Sequence, residues 1–458
     1  MEIVLSFSTL CLLLIAGKVL RVKIRLFQKL YLPASVIGGL LGLILVQILS
    51  RHLPDLSTAA TAGWTTLPGF LINIVFASLF LGLTIPPLKI IWRKAGPQLA
   101  YGQIVAWGQY ATGLGIALLA LVPLFKVPGY IGTVIPVGFE GGHGTAAGLG
   151  PTFETFDWSE GKDIALASAT AGITSAIVVG MILINWAARK GITQKLRRIE
   201  DMPDSSIVGV YEVEERPIAG RQTVAADSVD SLALHLAVVG IALFIGYLIK
   251  QGLLQLELLS PALAEKKLLT GFPLFPLCMI GGLLVQLFLS RCTKTTPVDH
   301  QLMQRLSGTA MDFLVVAAIA MIRLDVVMER LWPFLILVAV GIAWNVFCVV
   351  WLAKRLLRNT AWFERAIAEM GQSMGVTATG LLLLRVVDPE SETDAISAFG
   401  YKQLMHEPFM GAGFWTSLAI PLAILNGAGF VFVISVIAIV AWLVVWAVLF
   451  RKALQRER

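Results

Sequence analysis

The stretch 137–150 reads VGFEGGHGTAAGLG. Its glycines at 138, 141, 142, 144, 148 and 150 surround three polar residues, Glu140, His143 and Thr145, and long apolar runs flank it on both sides. Backbone N–H and C=O groups that leave a regular helix inside a bilayer find no water. Such a stretch persists there only where protein buries it or where it lines a wet cavity. A second interrupted stretch, EMGQSMGVTATG at 369–380, sits at the corresponding place in the second half of the chain. Paired breaks at matching places in two halves mark the binding site of a secondary transporter.

The chain around these stretches supports a membrane setting. Of its 458 residues, 57% are hydrophobic and 14% charged, with a mean hydropathy of +0.80; soluble domains carry about 25% charged residues. Cys11, Cys278, Cys292 and Cys348 stand alone, without the paired spacing of a metal site or redox motif. Runs long enough to cross about 30 Å of hydrocarbon fall at 3–20, 33–49, 68–88, 100–124, 163–187, 232–250, 271–289, 306–323, 332–352, 394–423 and 428–449. The run 394–423 contains Pro408 and Pro421, so a kink or two shorter pieces are expected there. The first run follows Glu2 and precedes its basic cluster. It reads as a retained helix rather than a cleaved signal.

The net charge of +7 reads as an orientation signal rather than a nucleic-acid surface. With the N-terminus outside and alternating spans, the inner segments hold 25 lysines and arginines against eight in the outer ones. Basic residues accumulate on the cytoplasmic side of membrane proteins, which places the C-terminus inside. The polar linker 189–231 mixes acids and bases and shows no lipid-binding polybasic patch.

The two halves are related. PASVIGGLL at 33–41 returns as PLCMIGGLL at 276–284, Gly69-x-x-x-Asn73 as Gly308-x-x-x-Asp312, and Gly144 answers Gly375. Five spans separate the copies, an odd number, so the second copy enters the membrane upside down relative to the first. The expected fold is an all-α polytopic membrane protein. It comprises two inverted repeats of five transmembrane helices, each with a re-entrant hairpin, plus one extra C-terminal helix. The first repeat occupies 1–188 with its hairpin at about 130–150, and the second 232–423 with its hairpin at about 364–388. The extra helix and basic tail follow at 424–458.

Hairpin tips present bare peptide groups, which suit an anion at helix N-termini and an oxygen-ligated cation such as sodium at freed carbonyls. The expected substrate-binding residues are Gly142, His143, Gly144, Thr145, Ser373, Gly375, Thr377, Thr379 and Arg385. The expected sodium-binding residues are Asn73, Thr145, Thr170, Asp312, Gln372 and Thr379. Each has a plainer reading. Glycine stripes also pack helices together, and threonines in membrane helices bond back to their own backbone, as Thr170, Thr174 and Ser175 could. His143 could simply pin a turn, and Glu140 reads as a solvated residue at the hairpin rim. Asn73 and Asp312 could bond neighbouring helices, although a carboxylate two turns inside a membrane helix is usually functional. Arg385 could clamp a carboxylate or belong to the basic inner face.

GGHGTAA at 141–147, Ala169-Thr170-x-Gly172, and Pro408-Phe-Met-Gly411-Ala412-Gly-Phe414 together resemble the sodium/glutamate symporters. The resemblance implies sodium-coupled uptake of L-glutamate by a homodimer in the cell inner membrane. Alternating access would work by an elevator-like or rocking motion, with sodium as coupling ion and no cofactor. Two elements depart from the family's pattern. The second loop continues as Thr377-Ala378-Thr379-Gly380 and four leucines, and Thr416 and Ala419 stand where the family carries an acid and an amide. The alternative substrate is a hydroxy- or dicarboxylate such as citrate or malate. A membrane enzyme would need a catalytic cluster, and the one close pair, His406-Glu407, points to different faces of a helix. A channel is the other rival class.

Overall fold

The computed structural model describes residues 2–30, 32–83, 88–193, 210–216, 218–225, 227–259, 261–267, 269–270, 272–292, 297–358, 360–388, 393–411 and 413–451. Most of the linker (194–209, 217 and 226), Pro86, Pro87, Pro389, Ala412 and the tail 452–458 lie outside them. Among the described residues every regular element is helical. Eleven helices are long and apolar enough to cross a membrane: Glu2–Lys23, Ala34–His52, Ala95–Phe125, Glu160–Arg189, Ser231–Leu258, Phe275–Cys292, His300–Ala320, Leu331–Leu356, Trp362–Val387, Ala395–Leu425 and Ala428–Phe450. A helix satisfies its own peptide groups, which is why apolar runs in lipid take this form.

These eleven differ from the expected set in one exchange. The run at 68–88 yields only the twelve-residue helix Leu67–Ser78, about 18 Å long. Beyond it the chain turns at Gly82, whose φ is +75°. The Gln286 side chain fixes the turn by accepting from Gly82 N (2.8 Å) and donating to Leu83 O (3.0 Å). The segment gained is Trp362–Val387, which reaches spanning length because two helical legs join across a break.

The chain divides into two compact units. The first comprises Met1–Ile85, Ala147–Trp158 and Asp204–Ile322. Here the two Gly-Gly pairs make similar close contacts. Gly38 lets its helix approach the first helix, where an added Cβ would lie 2.5 Å from Leu13 O; its counterpart Gly281 does the same against Ala242 O at 2.2 Å. One position on, Gly39 meets Ile319 of the helix His300–Ala320, and Gly282 meets Ala77 of the helix Leu67–Ser78. In each half, then, the second helix packs on the first helix of its own half and on the third helix of the other. Leu10, Leu13, Trp64, Val316 and Ala320 fill one core, and Ala77, Val239, Ala242, Cys278 and Met303 another.

A Cβ at Gly282 would lie 2.1 Å from Ala77 O, a backbone atom that cannot swing aside. Gly282→Ala is therefore expected to destabilise the protein by about 1–3 kcal/mol, the range for overpacking. Gly252→Ala, in the helix Ser231–Leu258 with nothing within 4 Å, is expected to be neutral or stabilising. Thermal unfolding of the two purified variants checks both.

The second unit comprises Pro86–Ala146, Ser159–Pro203 and Arg323–Arg458. The final helix packs along Leu88–Ile116, with Ala428 and Val431 meeting the cluster of Trp107, Tyr110, Leu114 and Trp415. The run at 394–423 is indeed interrupted. Ala395–His406 passes into a π-type turn, Glu407–Gly411, and a separate helix, Phe414–Leu425, follows. Gly413 permits that bend, since a Cβ there would sit 1.8 Å from Pro408 O.

Candidate functional site

Both glycine-rich stretches interrupt their helices, and both interruptions lie in the second unit. In the first, Val134–Phe139 ends, Gly142 takes φ +69°, and Gly142–Gly148 begins. In the second, Gly375 (φ −156°, ψ 29°) and Val376 (φ 68°, ψ 167°) separate the two legs of Trp362–Val387. Those legs fold against each other. A Cβ at Gly371 would lie 2.7 Å from Gly380 Cα, and one at Gly380 would lie 2.4 Å from Ala368 O. Nine residues along an unbroken helix would separate positions 371 and 380 by about 13 Å, so the chain doubles back at Gly375–Val376. Positive φ at a β-branched residue is strained, and such strain concentrates at functional sites.

The two tips meet. A Cβ at Gly142 would come within 2.5 Å of the Val376 side chain, and Gln372 Nε2 donates to Glu140 Oε1 at 2.8 Å. The helix Glu160–Arg189 supports both: Gly138 packs on Ala165 and Ser168, and Gly172 on Met374 O and Phe139. Two amides brace Ser373 at the second tip. Gln109 Nε2 donates to its carbonyl at 2.6 Å, and its hydroxyl donates to Asn345 Oδ1 at 2.5 Å.

Around the tips lies a buried polar network. Lys402 Nζ pairs with Glu369 Oε1 at 2.6 Å, both side chains fully buried, and also donates to Gln372 Oε1 (3.2 Å) and Gln403 Oε1 (2.9 Å). Gln98 Nε2 donates to Glu369 Oε2 at 2.8 Å. His406 Nε2 lies 2.5 Å from Glu140 Oε1, with both groups buried. Thr377 donates to Glu407 Oε1 and accepts from Gln403 Nε2 at 2.5 Å.

Glu140 therefore departs from the expectation of a solvated rim residue. It is 3% exposed and joins the first tip to the second hairpin and to His406. Sequence pattern brings in His406 only as half of the His406-Glu407 pair, and does not single out Glu369, Lys402 or the glutamines 98, 103 and 109 of one helix. The available signal was their chemistry, since ionisable and amide groups within apolar helices are costly unless used.

The expected site residues divide between the units. Gly142, Gly144, Thr145, Gln372, Ser373, Gly375, Thr377 and Thr379 lie at or beside the two tips. His143 Nε2 sits 2.9 Å from Thr170 Oγ1. Thr145 donates to Gly141 O (2.8 Å) and Thr379 to Gly375 O, so both hydroxyls return to backbone beside the tips. Thr174 and Ser175 bond back to Thr170 O and Ala171 O. Arg385 is exposed nine residues past Val376, about 13 Å along its leg. Asn73 and Asp312 belong to the first unit, where Asn73 Nδ2 donates to Gly69 O (2.9 Å) and Asp312 is exposed.

The family model for the sodium/glutamate symporter matches residues 1–388. The match takes in both tips and ends before Lys402 and His406. No curated protein and no solved structure matches the chain. With eleven apolar helices of spanning length among its described residues and a family match over most of its length, the chain is a multi-pass membrane protein that belongs to the sodium/glutamate symporter family.

Proposed function

We propose that this chain carries L-glutamate across the cell inner membrane together with sodium, and that the meeting of the two tips in the second unit is its site. The observation that carries this reading is the pair of backbone breaks at Gly142 and Gly375–Val376, in contact and surrounded by buried polar side chains. Breaks of this kind leave peptide N–H and C=O groups beyond the helical ladder, available to an anion and to a hard cation. Substrate carboxylates bind at Gly142, His143, Gly144, Thr145, Ser373, Gly375, Thr377 and Thr379. Sodium binds among the oxygens of Thr145, Thr170, Gln372 and Thr379. This site is built from the second unit alone; of the residues read from sequence it leaves out Asn73, Asp312 and Arg385.

Each hairpin re-enters the membrane, the first from outside and the second from inside, as the inverted repeat and the distribution of basic residues suggest. Alternating access comes from movement of the unit that carries the tips. The N-terminus lies outside, the C-terminus lies inside, and the working form is a homodimer. Coupling follows if substrate and sodium bind only together.

Proteoliposomes with an inward sodium gradient test the reading. Saturable accumulation of labelled glutamate, abolished when an ionophore collapses the gradient, is expected. No glutamate uptake under conditions where another carboxylate enters would contradict it. A hydroxy- or dicarboxylate is the second reading, favoured by the departure of 377–385 from the family's second loop. Citrate and malate as competitors decide between the two.

A further inference from the structure

Where the spanning helix Leu331–Leu356 ends, the second unit opens into a cavity of about 700 Å³ lined by Val350, Trp351, Lys354, Arg355, Arg358 and Trp362. That volume falls within the roughly 300–1,000 Å³ of small-molecule sites. Three of the six lining residues are cationic and none is acidic. Among the described residues, Lys354, Arg355 and Arg358 form no ion pair with a carboxylate. Like charges gathered at one cavity repel each other, and an anion among them relieves that repulsion.

Arg355 is already held for such an anion. Its guanidinium lies over the Trp351 ring, Cζ 3.6 Å from the centroid, and Nη1 donates to Trp351 O at 2.9 Å. Stack and hydrogen bond fix the plane of the fork and leave its other N–H groups for oxygen ligands. A fixed fork suits a phosphate, which it grips through two parallel hydrogen bonds. Lys354 and Arg358 add two exposed cations to the same lining. Basic residues at this position also complement the negative end of a helix and mark the inner face. Neither role calls for an aromatic platform or for a cavity.

The surroundings indicate which phosphate. Trp446 Nε1 donates to Leu356 O at 2.8 Å, so Trp446 joins Trp351 and Trp362 at this end of the unit. Tryptophan collects where a bilayer's headgroups lie. One turn back along the helix, the Phe347 ring stacks on Trp351 with centroids 5.0 Å apart, and Phe347 and Val350 are exposed. The cationic lining thus continues into an exposed apolar face of a spanning helix. Free phosphate has no use for that face, whereas a phospholipid occupies both parts.

We propose that this cavity binds an anionic phospholipid, its phosphate held by Lys354, Arg355 and Arg358 and its acyl chains lying along Phe347 and Val350. Trp362 is the first residue of the helix whose legs form the second hairpin, so the headgroup braces the entry of that hairpin against the helix before it. The site uses none of the tip residues and does not depend on the symport reading.

Delipidated full-length protein in neutral detergent tests the proposal, with bound lipid read by native mass spectrometry. Phosphatidylglycerol is expected to bind more tightly than phosphatidylcholine and to resist displacement by excess inorganic phosphate. Arg355→Gln/Arg358→Gln is expected to weaken phosphatidylglycerol binding about 25-fold, at about fivefold per basic residue. Trp351→Leu keeps all three cations but removes the platform, and about threefold weaker binding is expected. Arg189→Gln/Lys190→Gln removes the same charge from exposed positions outside the cavity and is expected to bind as the wild type does. Equal losses in the two double variants, or none in Trp351→Leu, would mean that net charge alone attracts the lipid and would overturn the proposal. Phosphatidylcholine binding equally well, or displacement by inorganic phosphate, would overturn it too. The substituted side chains are exposed; should one cavity variant fail to fold, the other decides.

Discussion

Replacing Lys402 with methionine is expected to destabilise the protein by about 3–5 kcal/mol, the range for removing one partner of a buried ion pair. The ammonium is fully buried, 2.6 Å from an equally buried Glu369 carboxylate. Methionine fills similar space but takes away the cation beside Glu369, whose Oε2 still accepts from Gln98 Nε2. Most of the loss comes from the stranded charge. Removing that charge as well, in Lys402→Met/Glu369→Gln, is expected to restore most of the stability, because a buried pair contributes little net stability over neutral replacements. Thermal or denaturant unfolding of the two single variants and the double checks the cycle. Additive losses would mean the two groups do not interact. The double variant is still expected to transport poorly, since Lys402 also holds Gln372, three residues before the break at Gly375.

Gly371→Leu is expected to lower sodium-driven uptake by about a hundredfold. The atoms nearest a Cβ at this position are Gly380 Cα, Gly380 N and Thr379 O, all backbone, at 2.7–2.8 Å. No rotamer change makes room, so the two legs must part. Overpacking of a tight contact costs about 1–3 kcal/mol and sometimes more, and about 1.4 kcal/mol corresponds to a tenfold change in rate. Parting the legs displaces the tip that carries Ser373 and Gly375. Gly400→Leu, on the helix Ala395–His406 with nothing within 4 Å, is the control and is expected to transport normally. Equal uptake by the two variants would show that leg contact is unimportant.

Glycine carried most of what the sequence revealed. The repeated Gly-Gly pairs at 38–39 and 281–282 make equivalent helix contacts in the first unit. The clusters at 141–144 and 371–380 mark the two backbone breaks. Glycine is legible because the need for close backbone approach or positive φ excludes nearly every other residue. The shortening of the run at 68–88 was not legible. Hydropathy sees continued apolar residues, whereas the turn at Gly82 is fixed by Gln286, 204 residues away.

The charged network was hidden for the same reason. Glu140 stands among glycines and reads as the mouth of a hairpin until His406, 266 residues later, comes beside it. Lys402 stands in the flank of the second broken stretch, outside the count of inner and outer basic residues, and only folding brings it against Glu369. Local pattern fixes where the backbone breaks. Which side chains gather at the breaks depends on contacts between elements distant in sequence.

Contact between the two tips is the most direct test of the whole account. Gly142→Cys and Val376→Cys are introduced together after Cys11, Cys278, Cys292 and Cys348 are replaced by serine, with a protease site placed in the linker 189–231. Mild oxidation in the membrane followed by cleavage is expected to leave one band that separates into two fragments only on reduction. Two fragments without reduction, from protein that still transports, would mean that the backbone breaks do not meet, and the site described here would not exist.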